Sequence, residues 1–300
     1  MTNATAAIEA RGLGKRYGHR WALADCTMTI PAGHVAGMVG PNGAGKTTFI
    51  SLATGMLAPT TGTVEVLGGN PASGRSQLAR VGYVSQDTPV YAGLSVADHL
   101  RLGAHLNPRW DTALARRRIG QLGLDPKQKA GQLSGGQRSQ LALTLALAKR
   151  PELLILDEPI ASLDPMARHE FLQVLMNATA DQELSVVISS HLVADLERVS
   201  DHLIVLVASR VRIEGEVDDL LATHHLLTGP RRDAASLPAS QQVITESHTG
   251  RQSTFLVRSG EPVIDPSWTV DPLTLEDLVL AYMGHTSAQS PEIRTLEARR

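Results

Sequence analysis

The sequence predicts an α/β fold, a sheet of buried strands flanked by helices, with a small α+β appendage at its C-terminal end. Three observations lead there. Short aliphatic runs, Leu153–Leu156 and Val186–Ser189, suit buried parallel strands, and Met166–Asn177 between them has a helical pattern. A further apolar run, His34–Val39, ends in a glycine-rich segment, Gly40–Gly45, and is followed by a helix-compatible stretch, Lys46–Leu57. Composition then shifts near Gly229, where Gly-Pro-Arg-Arg-Asp-Ala-Ala-Ser-Leu-Pro-Ala-Ser reads as a linker.

Taken in chain order, Ala7–Ile30 predicts short strands and turns punctuated by Gly12, Gly14 and Gly18, with Cys26–Ile30 alternating as a half-buried strand does. Between about 95 and 149 apolar residues recur at helical spacing (Leu100, Leu106, Leu114, Ile119, Leu122), broken by Pro108 and Pro126, so this third is mostly helical. Beyond the linker, Gln252–Arg258 and Glu261–Asp265 are candidate strands. Thr274 and Asp277 have capping-box spacing, and Leu275, Leu278, Val279, Tyr282 and Met283 share one helical face before Gly284. The expected organisation is a main domain over 7–228 with its helical part at about 87–150, a linker at 229–240, an appendage at 241–284 and a polar tail at 285–300.

Composition narrows the function classes. Lys and Arg number 28 against 30 Asp and Glu in 300 residues, so no overall field selects nucleic acid as a partner. Cys26 is the only cysteine, which excludes an internal disulfide and a cysteine-rich metal site and fits a reducing cytoplasm. Residues 1–10 lack the apolar core of a secretory signal. Apolar stretches such as Leu203–Ala208 fall far short of the roughly 20 residues that span a bilayer. The paired His224 and His225 read as a solvated helix end, and Arg116, Arg117 and Arg118 as a charged helix face.

The chemistry is carried by motifs. Gly40-Pro41-Asn42-Gly43-Ala44-Gly45-Lys46-Thr47 fits GxxxxGK[ST] between a predicted strand and a predicted helix. Glycines allow a tight loop of inward-pointing N–H groups, and the helix N-terminus adds positive charge where phosphates sit. Lys46 is expected to reach the β- and γ-phosphates, and Thr47 to offer its hydroxyl to Mg²⁺. The aliphatic strand before Asp157 and Glu158 presents two acids, the first suited to Mg²⁺ and the second to polarising a water. Leu133-Ser134-Gly135-Gly136-Gln137 precedes an apolar helix, with Ser134 as a natural N-cap; two glycines leave amides open there, a second anion-binding end.

In order, GPNGAGKTT, YVSQD, LSGGQ, LLILDEP, SLD and SSH resemble the ATPase subunit of ABC transporters, over roughly residues 7–225. The resemblance implies a P-loop NTPase cassette with an N-terminal antiparallel β subdomain and a helical signature subdomain. It implies that Tyr17 stacks on adenine, that Gly40 to Lys46, Thr47 and Thr48 cradle ATP, and that Gln86 contacts Mg²⁺ and the attacking water. It further implies that Asp164 lies at a subunit boundary, and that His191 bonds the γ-phosphate and orients Glu158. Such cassettes pair head to tail as homodimers or heterodimers, so that ATP and Mg²⁺ sit between the phosphate loop of one subunit and Ser134, Gly135, Gly136 and Gln137 of the other. The implied partner is a separate membrane permease, touched through Gln86 and Asp87–Leu100, which places the protein on the cytoplasmic face of the membrane. Single cassettes with short C-terminal extensions resemble exporters, while cargo and direction stay open. Ile160 departs from the family pattern, in which a small polar residue usually follows Asp-Glu-Pro. Two alternatives stand beside transport: a soluble ATPase of the same superfamily, and a regulatory module whose appendage senses a ligand.

Overall fold

The structure, a computed structural model, describes residues 6–87, 90–180 and 183–284. The chain divides into two compact units, Met1–Val217 and Asp218–Arg300.

The first unit opens with two long strands, β1 (Ala6–Tyr17) and β2 (Arg20–Pro31), where shorter ones were expected. Residues opposite each other run from Ala6 with Pro31 to Tyr17 with Arg20, and irregular register steps absorb the glycine-containing stretch between Ala10 and Leu13. β3 (Val35–Val39) is buried at every position and leads through the glycine-rich loop into α1 (Lys46–Ala53). β4 (Thr61–Val66) joins the first two strands as an antiparallel sheet in the order β2-β1-β4.

A short α2 (Arg75–Arg80) leads into β5 (Val81–Val84). The helical part then comprises α3 (Val96–Leu106), α4 (Thr112–Gln121) and α5 (Gly135–Ala148), with its own core of Val96, Ile119, Leu124, Leu133 and Leu141. Arg116 and Arg117 are exposed as expected, but Arg118 is buried and donates to Thr144 Oγ1. It lies on the same face as Ala115 and Ile119, which the α4 turn directs inward. Burial without an acid beside it, together with the charge of Arg117, brings its pKa down to about 10.

The remaining elements are β6 (Leu153–Asp157), α6 (Pro165–Ala180), β7 (Ser185–Ser190), a single-turn α7 (Val193–Leu196), β8 (His202–Val207) and β9 (Arg210–Glu216). They complete a six-stranded sheet, β5-β6-β7-β3-β8-β9, parallel except for β9. The parallel strands are near-continuous aliphatic runs because helices or the antiparallel sheet cover both faces. The main core joins Ile8, Leu23 and Met28 of β1 and β2, Phe49 and Leu52 of α1, and Ile155, Val187 and Ile204 of the large sheet. Each such side chain contributes about 1.5–3 kcal/mol on burial, which fixes α1, and with it the loop before it, against the sheet.

The second unit contains most of α8 (Val217–Thr223), then β10 (His224–Pro230), β11 (Gln242–His248), β12 (Gln252–Arg258), β13 (Thr269–Asp271) and α9 (Leu275–Gly284). Its sheet order is β11-β12-β10-β13, and its core is Leu227, Phe255, Val257 and Trp268. The linker expected at 229–240 is corrected: Gly229 and Pro230 end β10, which pairs on both sides, and Ala234–Ser236 is a single 3-10 turn. Gly229 is needed there because a Cβ would sit 2.5 Å from the Trp268 ring. The boundary therefore falls upstream of 228, and the unit begins before 241. Gln252–Arg258 is a strand, whereas Glu261–Asp265 is not; the fourth strand is Thr269–Asp271. His224 is no solvated helix end but a buried strand residue, with Nδ1 bonding the Leu220 carbonyl and Nε2 facing Tyr282 Oη at 2.9 Å. The capping box is present, with Asp277 N–H donating to Thr274 Oγ1 at 3.1 Å and Thr274 N–H donating to Asp277. The tail over 285–300 lies outside the described residues.

Candidate functional site

The phosphate-loop sequence is shaped by close backbone approach. A Cβ on Gly40 would lie 2.2 Å from the Leu206 carbonyl oxygen, and Gly45, at φ 112°, would meet the Ala22 carbonyl at 2.5 Å. Only glycine fits at either position. The loop closes with Ala44 N–H donating to the Pro41 carbonyl at 3.0 Å. No side chain caps α1, so its first N–H groups face the loop as free donors, an anion-binding arrangement.

Lys46 is buried, with Nζ donating to the Gly40 carbonyl at 2.7 Å and lying 3.3 Å from Glu158 Oε1. Glu158 Oε2 is in turn 2.8 Å from His191 Nδ1, so the glutamate carboxylate stands between a buried ammonium and a half-exposed imidazole. Glu158 takes a left-handed conformation, φ 45°, immediately after β6. Asp157, the last residue of that strand, is 1% exposed and accepts from Ser189 Oγ at 2.7 Å. Burial and the neighbouring Asp157 push the Tyr83 phenol up, so it stays neutral beside the acid.

A cavity of about 530 Å³ gathers Tyr17, residues 42–48, Gln86 and Glu158. Arg20, Trp21 and Ala22 line it as well, which the sequence reading passed over. The signal was present: Gly18, at φ 58°, turns the chain tightly enough to set Tyr17 opposite Arg20. Residues directly opposed in an antiparallel pair project to the same face. Gly40, Pro41, Asp157 and His191 border this group through the contacts above and do not line the cavity itself. Ser189, also unassigned from sequence, links both acids.

Ser134 and Gln137 form a capping box on α5: Gln137 N–H donates to Ser134 Oγ at 3.2 Å, and Ser134 N–H to Gln137 Oε1 at 2.9 Å. With Gly135, Gly136 and Asp164 they line a second hollow of about 390 Å³. Asp164 Oδ1 accepts from the N–H groups of Met166 and Ala167, both at 3.0 Å, which caps α6. None of Ser134, Gly135, Gly136, Gln137 and Asp164 lines the first cavity. Ile160 is buried, and its carbonyl accepts from Leu163 N–H, so the departure is absorbed as packing under the 162–164 turn. In the segment after Gln86, Thr88 and Pro89 lie outside the described residues. Tyr91 is 66% exposed, and its N–H donates to Nε2 of the buried His99.

The family model for ABC transporters matches residues 23–161. Nod factor export ATP-binding protein I of Rhizobium johnstonii is 34% identical over 221 residues, covering 72% of this chain and 71% of that protein. The chain belongs to the ATP-binding subunits of ABC transporters. The thiamine import ATP-binding protein ThiQ of Salmonella typhimurium is 31% identical over 203 residues, 65% of this chain and 86% of that protein. A solved ATP-binding subunit of an ABC transporter superposes with a TM-score of 0.65 at 27% identity, covering 72% of this chain and 92% of that one. The cassette is thus a P-loop NTPase fold, and its relatives include proteins named for export and for import. ABC ATP-binding domains bind ATP and are in general ATPases. No helix among the described residues is long and apolar enough to cross a membrane.

Proposed function

We propose that this cassette binds and hydrolyses Mg²⁺·ATP and, as a head-to-tail pair with a second copy or a related cassette, drives a separate membrane permease from the cytoplasmic face. The observation that carries the chemistry is the Lys46, Glu158 and His191 cluster beside the phosphate loop, with Asp157 held next to it. The loop amides and Lys46 bind the β- and γ-phosphates, while Tyr17 offers its ring to the base. The hydroxyl of Thr47, the Asp157 carboxylate and the Gln86 amide oxygen form an oxygen-only donor set, which suits a hard divalent cation. Bound there, Mg²⁺ supplies charge neutralisation at the phosphates. Glu158 takes the role of general base toward water, and His191 holds its carboxylate in line.

The two hollows support pairing: the capping box holds the Ser134 and Gln137 N–H groups and leaves the N–H groups of Gly135 and Gly136 at the start of α5 for a nucleotide on another subunit. Asp164 belongs to the same edge. Export is favoured over import by the relative of highest identity reported above, itself named for export. The test is Glu158→Gln: ATP turnover falls by about 10²–10⁴-fold while ATP affinity is retained, and unchanged turnover would remove Glu158 from its role.

One observation favours a second reading. The unit from Asp218 onward has its own sheet and core, as a sensing module would. Removing residues 218–300 leaves basal turnover intact on either reading, and abolishes regulation by a ligand only on the second.

A further inference from the structure

We infer that Ser189 is a positioning residue for hydrolysis, setting both acids of the site through a single hydroxyl; this rests on the nucleotide reading given above. Ser189 is completely buried on β7, a strand whose inner residues are otherwise Val186, Val187 and Ile188. A hydroxyl in such surroundings is unfavourable unless its hydrogen bonds are made. It makes two, and they go to consecutive residues of the neighbouring strand end. Oγ–H donates to Asp157 Oδ1 at 2.7 Å, and Oγ accepts the N–H of Glu158 at 2.9 Å.

The parallel register makes this possible, because Asp157 and Ser189 are paired across β6 and β7. One bond fixes the rotation of the Asp157 carboxylate, so that its other oxygen is aimed consistently at a cation. The second holds the Glu158 peptide where the chain turns into the left-handed region, φ 45°, a conformation that non-glycine residues keep only when surroundings hold them. Lys46 and His191 then fix the Glu158 side chain from two sides. Alanine would fill the same place on the strand without the oxygen, so packing alone does not explain a serine here.

Partners that orient a metal ligand through a hydrogen bond are worth about 10–100-fold in metal affinity or activity. The test uses the full chain, with Mn²⁺ as the spectroscopic stand-in for Mg²⁺ and electron paramagnetic resonance as the readout. Ser189→Ala is expected to stay folded, melting below the wild type because Asp157 and the Glu158 N–H lose a buried partner, and to bind metal-free ATP equally well in EDTA. It should bind Mn²⁺ about tenfold or more weakly in the presence of ATP, bind metal-loaded ATP more weakly by the same factor, and lower kcat. Ser189→Thr, which keeps the hydroxyl, restores Mn²⁺ affinity. Wild-type Mn²⁺ affinity and kcat in a folded Ser189→Ala protein would overturn the inference. So would equal weakening of metal-free and metal-loaded ATP, which indicates general damage. If the wild-type chain binds no ATP even in EDTA, the nucleotide reading itself falls, and that outcome is distinct from either.

Discussion

Replacing Lys46 by methionine keeps the stem of the side chain and removes its charge, which tests the electrostatics of the site before any nucleotide is added. Lys46 Nζ loses its bond to the Gly40 carbonyl, and Glu158 loses the cation 3.3 Å away. Breaking a fully buried ion pair costs about 3–5 kcal/mol, but Glu158 keeps His191 at 2.8 Å. The expected loss of stability is therefore smaller, about 1–3 kcal/mol. If the pair is the cause, the same substitution in a Glu158→Gln background costs less, by about 1 kcal/mol or more. Urea unfolding of the four proteins, followed by circular dichroism, gives the coupling directly. Equal losses in both backgrounds, within about 0.5 kcal/mol, would show that Lys46 and Glu158 do not interact and that the charge arrangement described here is wrong. In the same proteins ATP affinity falls whenever Lys46 is absent; a drop of about 100-fold corresponds to about 2.7 kcal/mol.

Gly40→Ala drives a methyl into the Leu206 carbonyl, and about 1–3 kcal/mol of stability should be lost together with ATP binding; a wild-type melting curve would contradict the close approach. Arg20→Ala should raise KM for ATP several-fold and leave kcat unchanged in a steady-state assay, because the side chain lines the cavity but not the cluster around Glu158; a fall in kcat alone would place it elsewhere. His202 is buried, neither ring nitrogen has a hydrogen-bond partner among the described residues, and burial pushes its pKa below the ordinary value, with the nearby charge of His34 adding to the shift and Asp201 opposing it. The unfolded chain then takes the proton first, so stability is full above about pH 6.5 and declines as pH falls through the folded value. His202→Leu should flatten the acid side of the melting-temperature profile, and an unchanged slope would refute the assignment.

Much of this site was legible because its elements are local. The phosphate loop, the Asp157–Glu158 strand end and the Ser134 cap each depend on a few consecutive residues, so their spacing alone was enough to propose roles for them. Ser189 and Arg20 were missed for the opposite reason: their importance arises from pairing, one across parallel strands more than thirty residues apart in sequence and one across a tight hairpin. The second unit misled at 224–240 because glycine, prolines and charges resemble a linker. Gly229 is in fact demanded by the Trp268 ring, and Pro230 ends a strand at a position where no ladder N–H is required of it. Arg118 escaped notice in a run of three arginines because only the helix's rotation, set by Ala115 and Ile119, decides which of the three turns inward.

The central claim is that ATP is held between the phosphate loop of one cassette and the capped helix end of another. Light scattering on the full-length Glu158→Gln protein, with and without Mg²⁺·ATP, measures this most directly. A shift from monomer to a stable dimer that requires nucleotide, and that is lost when Ser134→Arg is added, is the predicted result. A protein that binds ATP and remains monomeric, alone and with a related cassette, would contradict it.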